Sequence, residues 1–356
     1  MPPVFYYIDL ESVKGGRLLD DKIVEAENAP SRAQRLLMPN DIIFQTVRPY
    51  QQNNYFYATE RDLPTIASTG YAVIRTKQDP KFVYSLIHTQ RFLTPVMLRC
   101  TGSSYPAVTG TDLEDIPTWM PSLEEQKRIG ALLDLIGKKI DAQTKIIETL
   151  KKYKRGLVSS ILSEKIKISD EPWEECTIGD FLASKSIKQL PTEEAPLMAF
   201  TATGGVCDKG ERYDRGFLVK DASTKLYKRT DYGDFIYSSN NLDVGSIGLN
   251  LYGSAVISDV YEIFSINDAD PWFISEVIQQ KPIMSDILKY RQGCLYGQYR
   301  IYAEDFLSVK IRIPSLPLQS KIGALISQVE SKILAEQGLL DNLEKCKAAL
   351  FQMMFI

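Results

Sequence analysis

The chain has 356 residues, of which 42 are basic and 45 acidic, giving a formal charge of −3, and 44% of it is apolar. That length suits two domains of ordinary size, and the apolar share can bury a sizeable core. No run of 18 apolar residues exists, which excludes a membrane-spanning helix. The start, Met1-Pro2-Pro3-Val4, lacks the basic and apolar regions of a signal peptide. Five scattered cysteines without a CxxC pair read as reduced thiols of a cytoplasmic protein. A single histidine, His88, excludes a multi-histidine metal site, and its helical surroundings give it a structural or surface role. There is no GxxxxGK[ST] loop, no GxGxxG after a strand and no Asn-Pro-Pro-aromatic tetrapeptide, so the chain reads as a binder and not a catalyst.

In chain order, β-like runs come first, at Asp41–Phe44, Tyr55–Ala58 and Tyr71–Arg75. Helical stretches follow near Lys81–Thr89 and Phe92–Cys100, and a long helix begins after Pro121. A polar linker, Ser163 to Pro172, leads to a second set of runs at Leu197–Thr201, Asp234–Ser238, Ile247–Leu251, Tyr261–Ile266 and Val309–Ile313. Short helices are predicted at Pro271–Gln280 and Ile283–Lys289, and a second long helix closes the chain. The fold class is α/β (α+β): two mixed domains and two long helices, divided as 1–120, 121–165, 171–313 and 314–356.

The halves repeat. Aligned without gaps, Pro121–Leu162 and Pro314–Phe355 share 15 of 42 residues at a constant offset of 193. Composition alone gives about two or three matches. The same offset aligns Asp41–Phe44 with Asp234–Tyr237, and nearby offsets align Gly102 and Tyr105 with Gly293 and Tyr296. Trp173–Phe181 precedes the second copy without a counterpart in the first, which is therefore expected to be shortened at its start.

Each long helix carries a heptad seam. One is Ile129, Leu133, Ile136, Ile140, Gln143, Ile147, Leu150, Lys154, Leu157, Ile161; the other is Ile322, Ile326, Val329, Ile333, Glu336, Leu340, Leu343, Lys347, Leu350, Met354. A sustained 3.5-residue period predicts a coiled coil, each helix about 60 Å long. Because each helix must leave one domain and lead to the other, antiparallel packing is expected. Two helices alone leave Leu132, Leu135, Ile146, Leu325 and Leu339 uncovered, a candidate partner-binding surface.

A globular part followed by Pro-Ser-Leu-Glu-Glu-Gln-Lys-Arg-Ile (121–129) and a heptad helix with a basic Leu-Lys-Lys-Tyr-Lys-Arg-Gly-Leu segment (150–157), the whole repeated once, resembles the specificity subunit of type I restriction–modification enzymes. The resemblance covers nearly the whole chain. It implies that each globular part is a target recognition domain reading half of a split DNA site. It further implies that the helices are conserved spacers and that two modification (methyltransferase) subunits dock on them. Restriction subunits complete the nuclease. No cofactor is expected in this chain; S-adenosylmethionine, Mg and ATP belong to the partner subunits.

The globular parts are not basic: residues 1–120 carry 12 basic and 13 acidic side chains, and 171–313 carry 15 and 21. The isolated chain is therefore expected to bind double-stranded DNA weakly, the methyltransferase partners supplying phosphate attraction. Base reading needs Arg, Asn, Gln and aromatic side chains on loops. In the first part these are Arg48, Tyr50, Gln51, Gln52 and Asn53, with Ser103, Ser104 and Tyr105. In the second they are Ser239, Asn240 and Asn241, with Arg291, Gln292, Tyr296, Gln298 and Arg300. Two other readings stay open on residues alone: a coiled-coil assembly adaptor that does not read DNA, and an autonomous enzyme of unknown chemistry. Self-association of the isolated chain is a further way to cover the helix surface.

Overall fold

The computed structural model describes residues 1–163, 165–202, 204–208, 225–240, 242–293 and 299–355. Two mixed α/β lobes are connected by two long helices, Leu123–Leu162 and Leu316–Met354. The chain divides into two compact units, Met1–Ile146 with Gln337–Ile356, and Ile147–Glu336. Each long helix thus contributes one end to each unit. Among the described residues, no helix is long and apolar enough to cross a membrane.

In the first lobe a four-stranded sheet has the order Lys22–Glu25, Val4–Ile8, Thr65–Ser68, Ala33–Leu36, with Val4–Ile8 parallel to Thr65–Ser68. An antiparallel three-stranded sheet has the order Tyr55–Tyr57, Asp41–Gln45, Tyr71–Ile74. Its central strand is buried at every residue because both faces are covered, by helices Pro80–Leu86 and Gln90–Arg99 on one side and by Ile8, Val13, Leu37 and Ala67 on the other.

In the second lobe the equivalent sheet has four strands, in the order Leu182–Ser184, Tyr261–Ile266, Phe235–Ser238, Ile247–Leu249. A three-stranded sheet has the order Lys188–Gln189, Tyr227–Thr230, Ala255–Ile257, and Glu174–Thr177 pairs with Lys310–Ile313. Phe235, Tyr237, Phe264 and Phe306 stack at the centre, with Tyr237 and Phe306 4.4 Å apart. Such offset stacking contributes beyond area burial.

The repeated start of the long helices has a packing reason. The buried Gln126 accepts from the Asp79 N–H at 3.1 Å and donates to the Pro121 carbonyl at 2.9 Å. The buried Gln319 does the same with Asp270 (3.1 Å) and Pro314 (2.8 Å). Asp79 and Asp270 in turn cap the short helices that begin at Pro80 and Pro271, accepting from Phe82 and Phe273. One glutamine per lobe therefore ties the base of the long helix to the cap of a lobe helix. Four residues on, a Cβ at Gly130 or Gly323 would lie 2.5 Å or 1.9 Å from the cap carboxylate. Glycine is what lets the two elements touch.

All ten seam positions of each helix are buried or half-buried. In the first unit Ile129 and Leu133 share a core with Leu350, Phe351, Met354 and Phe355. In the second, Val158 and Ile161 share one with Leu318, Ile322 and Ile326. Lys154, a polar seam residue, is clamped there between Glu330 (2.9 Å) and Glu276. Residues rising along one helix meet residues falling along the other, so the segments pack antiparallel within each unit.

Candidate nucleic-acid interface

In the first lobe the strand Asp41–Gln45 runs into a tight loop. Arg48 and Gln52 bracket the single helical turn Pro49–Gln51, both in the left-handed region with φ of 55° and 51°. A bulky residue pays for that conformation, the more so before proline. Buried amides hold the loop from below. Gln45 donates to the Val47 carbonyl and to Gln51 Oε1 and accepts from the Asn53 N–H. Asn54 accepts from the Gln45 N–H at 2.8 Å and meets His88 Nε2 at 3.3 Å. His88 Nδ1 lies 2.6 Å from the Tyr84 carbonyl, and burial holds the imidazole below its ordinary pKa. Val47 bridges to Ala107, which also bridges to Thr101, so a turn carrying Ser103, Ser104 and Tyr105 closes beside the loop. There the Arg48 guanidinium stacks on the exposed Tyr105 ring, 4.2 Å from its centroid.

The second lobe repeats this pairing at the same offset. Asn240 bridges to Arg300, as Val47 bridges to Ala107. Gln292 and Gly293 pair with Arg300 and Tyr299. The Arg300 guanidinium lies 5.0 Å from the Tyr302 ring centroid and donates to Glu262 at 3.1 Å; Glu262 is also held by Lys228. Arg291 lies over Tyr299, whose hydroxyl bonds Asp243 at 2.5 Å. Burial and the Asp243 carboxylate push that hydroxyl above its ordinary pKa. Among the described residues, Arg48 Nε and Arg300 Nε are the two buried side-chain polar atoms without a hydrogen-bond partner. Both sit on the paired loop, one in each lobe.

The structure brings Arg48, Tyr50, Gln51, Gln52 and Asn53 together with Ser103, Ser104 and Tyr105. Tyr50 is exposed, and Asn53 is occupied with the Gly15 N–H. It also joins Asn240, Arg291, Gln292 and Arg300. Gln292 bonds Asp305 from an exposed position. Ser239 lies beneath the loop, 1% exposed, with its hydroxyl donating to the Val260 carbonyl at 2.8 Å. Asn241, Tyr296 and Gln298 lie outside the described residues. The residues that sequence reasoning missed are acidic, Asp243 and Glu262, together with Tyr302. Glu262 comes from a strand 38 residues before Arg300, whereas Asp243 and Tyr302 are close neighbours of the Asn240–Asn241 and Arg300 loops. On the long helices Leu132, Leu135, Ile146, Leu325 and Leu339 are exposed, as are Tyr153 and Leu334. The described cysteines are free thiols, and no group of metal-ligating side chains occurs among the described residues.

Residues 26–152 match the family model of the type I restriction modification DNA specificity domain. The chain is 22% identical over 165 residues to the HindI specificity subunit of a type I restriction enzyme from Haemophilus influenzae, covering 44% of this chain and 35% of that one. It is 22% identical over 312 residues to the MjaIX specificity subunit of a type I restriction enzyme from Methanocaldococcus jannaschii, covering 81% and 71%. The structure is similar to the crystal structure of a type I restriction–modification system S subunit from M. genitalium, with a TM-score of 0.62 at 14% identity, covering 99% and 88%. In class, this is a duplicated two-lobe protein with paired long helices, the fold of S subunits. The chain resembles the specificity subunit of a type I restriction–modification enzyme in both sequence and architecture.

Proposed function

We propose that this protein is the DNA-recognition subunit of a type I restriction–modification complex. Residues 1–120 and 171–313 act as target recognition domains, each reading one half of a split target, and 121–165 and 314–356 are the spacer helices. The observation that carries this reading is the loop pairing built twice at one repeat offset, each time with a stacked arginine whose buried Nε has no partner in the protein. A guanidinium placed over an aromatic ring can offer an N–H edge to a guanine or a phosphate. The surrounding loops differ between lobes, as two readers of different half-sites require. The exposed apolar residues of the helices dock two modification subunits, and restriction subunits complete the assembly. This chain is then its non-catalytic member, and S-adenosylmethionine, Mg and ATP are held by partners.

The test is co-expression with the methyltransferase subunit and sequencing-based mapping of methylated sites. A split motif with an unread spacer is expected. Replacing 171–313 with the equivalent part of a relative should change one half alone. Arg48→Ala should relax one half and Arg300→Ala the other, at roughly 1–3 kcal/mol for each lost bidentate contact. A continuous motif, or a domain exchange that alters both halves, would sink the proposal.

A further inference from the structure

The two lobes hold their loop arginines by different means. In the second lobe Arg300 donates from a terminal nitrogen to Glu262 Oε1 at 3.1 Å, and Lys228 Nζ donates to the other oxygen, Oε2, at 2.8 Å. Lys228 also donates to the Tyr261 carbonyl at 2.8 Å, which fixes the ammonium from a second direction. The three side chains come from three strands: Tyr227–Thr230 of the three-stranded sheet, Tyr261–Ile266 of the four-stranded sheet, and Tyr299–Arg300. Lys228 and Glu262 are only 12% and 18% exposed, so this pair is screened less than one at the surface. The backbone around the arginine is fixed as well. Asn240 bridges to Arg300, the Ile301 N–H donates to the Ser239 carbonyl at 2.9 Å, and the Tyr237 hydroxyl donates to the Ile301 carbonyl at 3.1 Å.

The first lobe is built otherwise. Its strand pair Phe44 with Ala72 matches Tyr237 with Glu262, so an alanine stands where the second lobe has the carboxylate. Among the described residues no carboxylate pairs with Arg48; a strained backbone and the Tyr105 ring set its direction.

We propose that Glu262 is a positioning residue for Arg300, aiming its guanidinium at a base edge and offsetting part of its pull on phosphate. This rests on the DNA-reading role proposed above. The carboxylate uses one guanidinium N–H and leaves the others for the O6 and N7 acceptors of a guanine. Its negative charge beside the loop opposes the phosphate backbone, whose attraction carries no sequence information. The second half-site then owes more to base contacts, and less to phosphate, than the first.

The test uses the chain co-expressed with the methyltransferase subunit. Methylated sites are mapped by sequencing, and affinity for a DNA fragment carrying the mapped site is measured across salt concentrations. Glu262→Ala should relax one position of the half-site that Arg300→Ala relaxes, with discrimination there falling about tenfold, and should steepen the salt dependence by about one counterion. Glu262→Gln keeps an acceptor for Arg300 without the charge, so the motif should hold while the salt dependence steepens by a similar amount. A merely structural role would lower the melting temperature and leave motif and salt slope where they were. An unchanged motif in Glu262→Ala overturns the proposal, as does a sharper one, which would make the ion pair an inhibitory tether. So does an unchanged salt slope in Glu262→Gln, the variant that decides if Glu262→Ala does not fold. If Arg300→Ala leaves both halves of the motif intact, the DNA-reading role falls and the role of Glu262 with it. If Arg300→Ala relaxes one half and Glu262→Ala does not, only the role of Glu262 falls.

Discussion

Arg48 holds a left-handed backbone immediately before a proline, with its guanidinium on Tyr105 and its Nε unpaired. Strain of about 1–3 kcal/mol at such a residue persists only where the surroundings enforce it. Arg48→Gly should therefore leave thermal stability equal or higher, while methylation mapping shows one half-site relaxed. A loss of stability with the motif unchanged would make Arg48 a structural residue. His88 offers a second check. Burial lowers its pKa from the ordinary 6.5, with the Tyr84 carbonyl acting in the opposite direction and Lys347 reinforcing it. Below about pH 6.5 the unfolded chain then binds a proton that the folded chain resists, so stability falls with acid and is flat above that range. His88→Gln should shrink the melting-temperature difference between about pH 5 and pH 7.5. That Arg48, Tyr105 and Arg300 fall on the paired loops was legible in the sequence because polar and aromatic residue types cluster there at repeat positions. Glu262 was not, because charge pairing across strands leaves no mark on local sequence, and Asp243 was not, because its bond to the Tyr299 hydroxyl joins residues 56 apart. The buried fate of Ser239 was invisible for the same reason.

The elements that the sequence made clearest were the long helices, since a heptad seam survives any detail of the lobes. Their origin was legible as a motif but not as a mechanism. That the glutamine and glycine of the repeated start both serve the cap of a distant helix emerges only from the fold. Gly130→Ala and Gly323→Ala should each cost about 1–3 kcal/mol, because a methyl group must displace a capping carboxylate. Gly137→Ala, with nothing within 4 Å of the new Cβ, should stabilise by roughly 0.5–1 kcal/mol through helix propensity. Urea unfolding of the three variants makes the comparison. At Lys154, burial works against the charge, but Glu276 and Glu330 outweigh it and hold the ammonium above its ordinary pKa. Lys154→Met strands two carboxylates and should cost on the order of 2–4 kcal/mol; a neutral result would show the clamp to be dispensable. The opening strand of the first lobe, Val4–Ile8, went unread. Its run of apolar and aromatic residues lacks the alternation of a half-exposed strand, and it lies inside its sheet, paired on both sides.

At the scale of the whole molecule, duplication explains the architecture, and divergence of the copies explains what each lobe can do. A folded unit made of Met1–Ile146 and Gln337–Ile356 is discontinuous in the chain, whereas its neighbour, Ile147–Glu336, is not. This sets an order on the ribosome. Domains usually fold as they emerge, the N-terminal one first. Here the first lobe waits: Phe82, near the beginning, rests on Phe355, near residue 356. The later-made lobe has all its parts first, and the earlier-made lobe is finished only when the last turns of the second long helix leave the exit tunnel. Until then its core side chains Phe82 and Leu133 stand exposed, making the nascent first lobe the part of this protein most dependent on protection during synthesis.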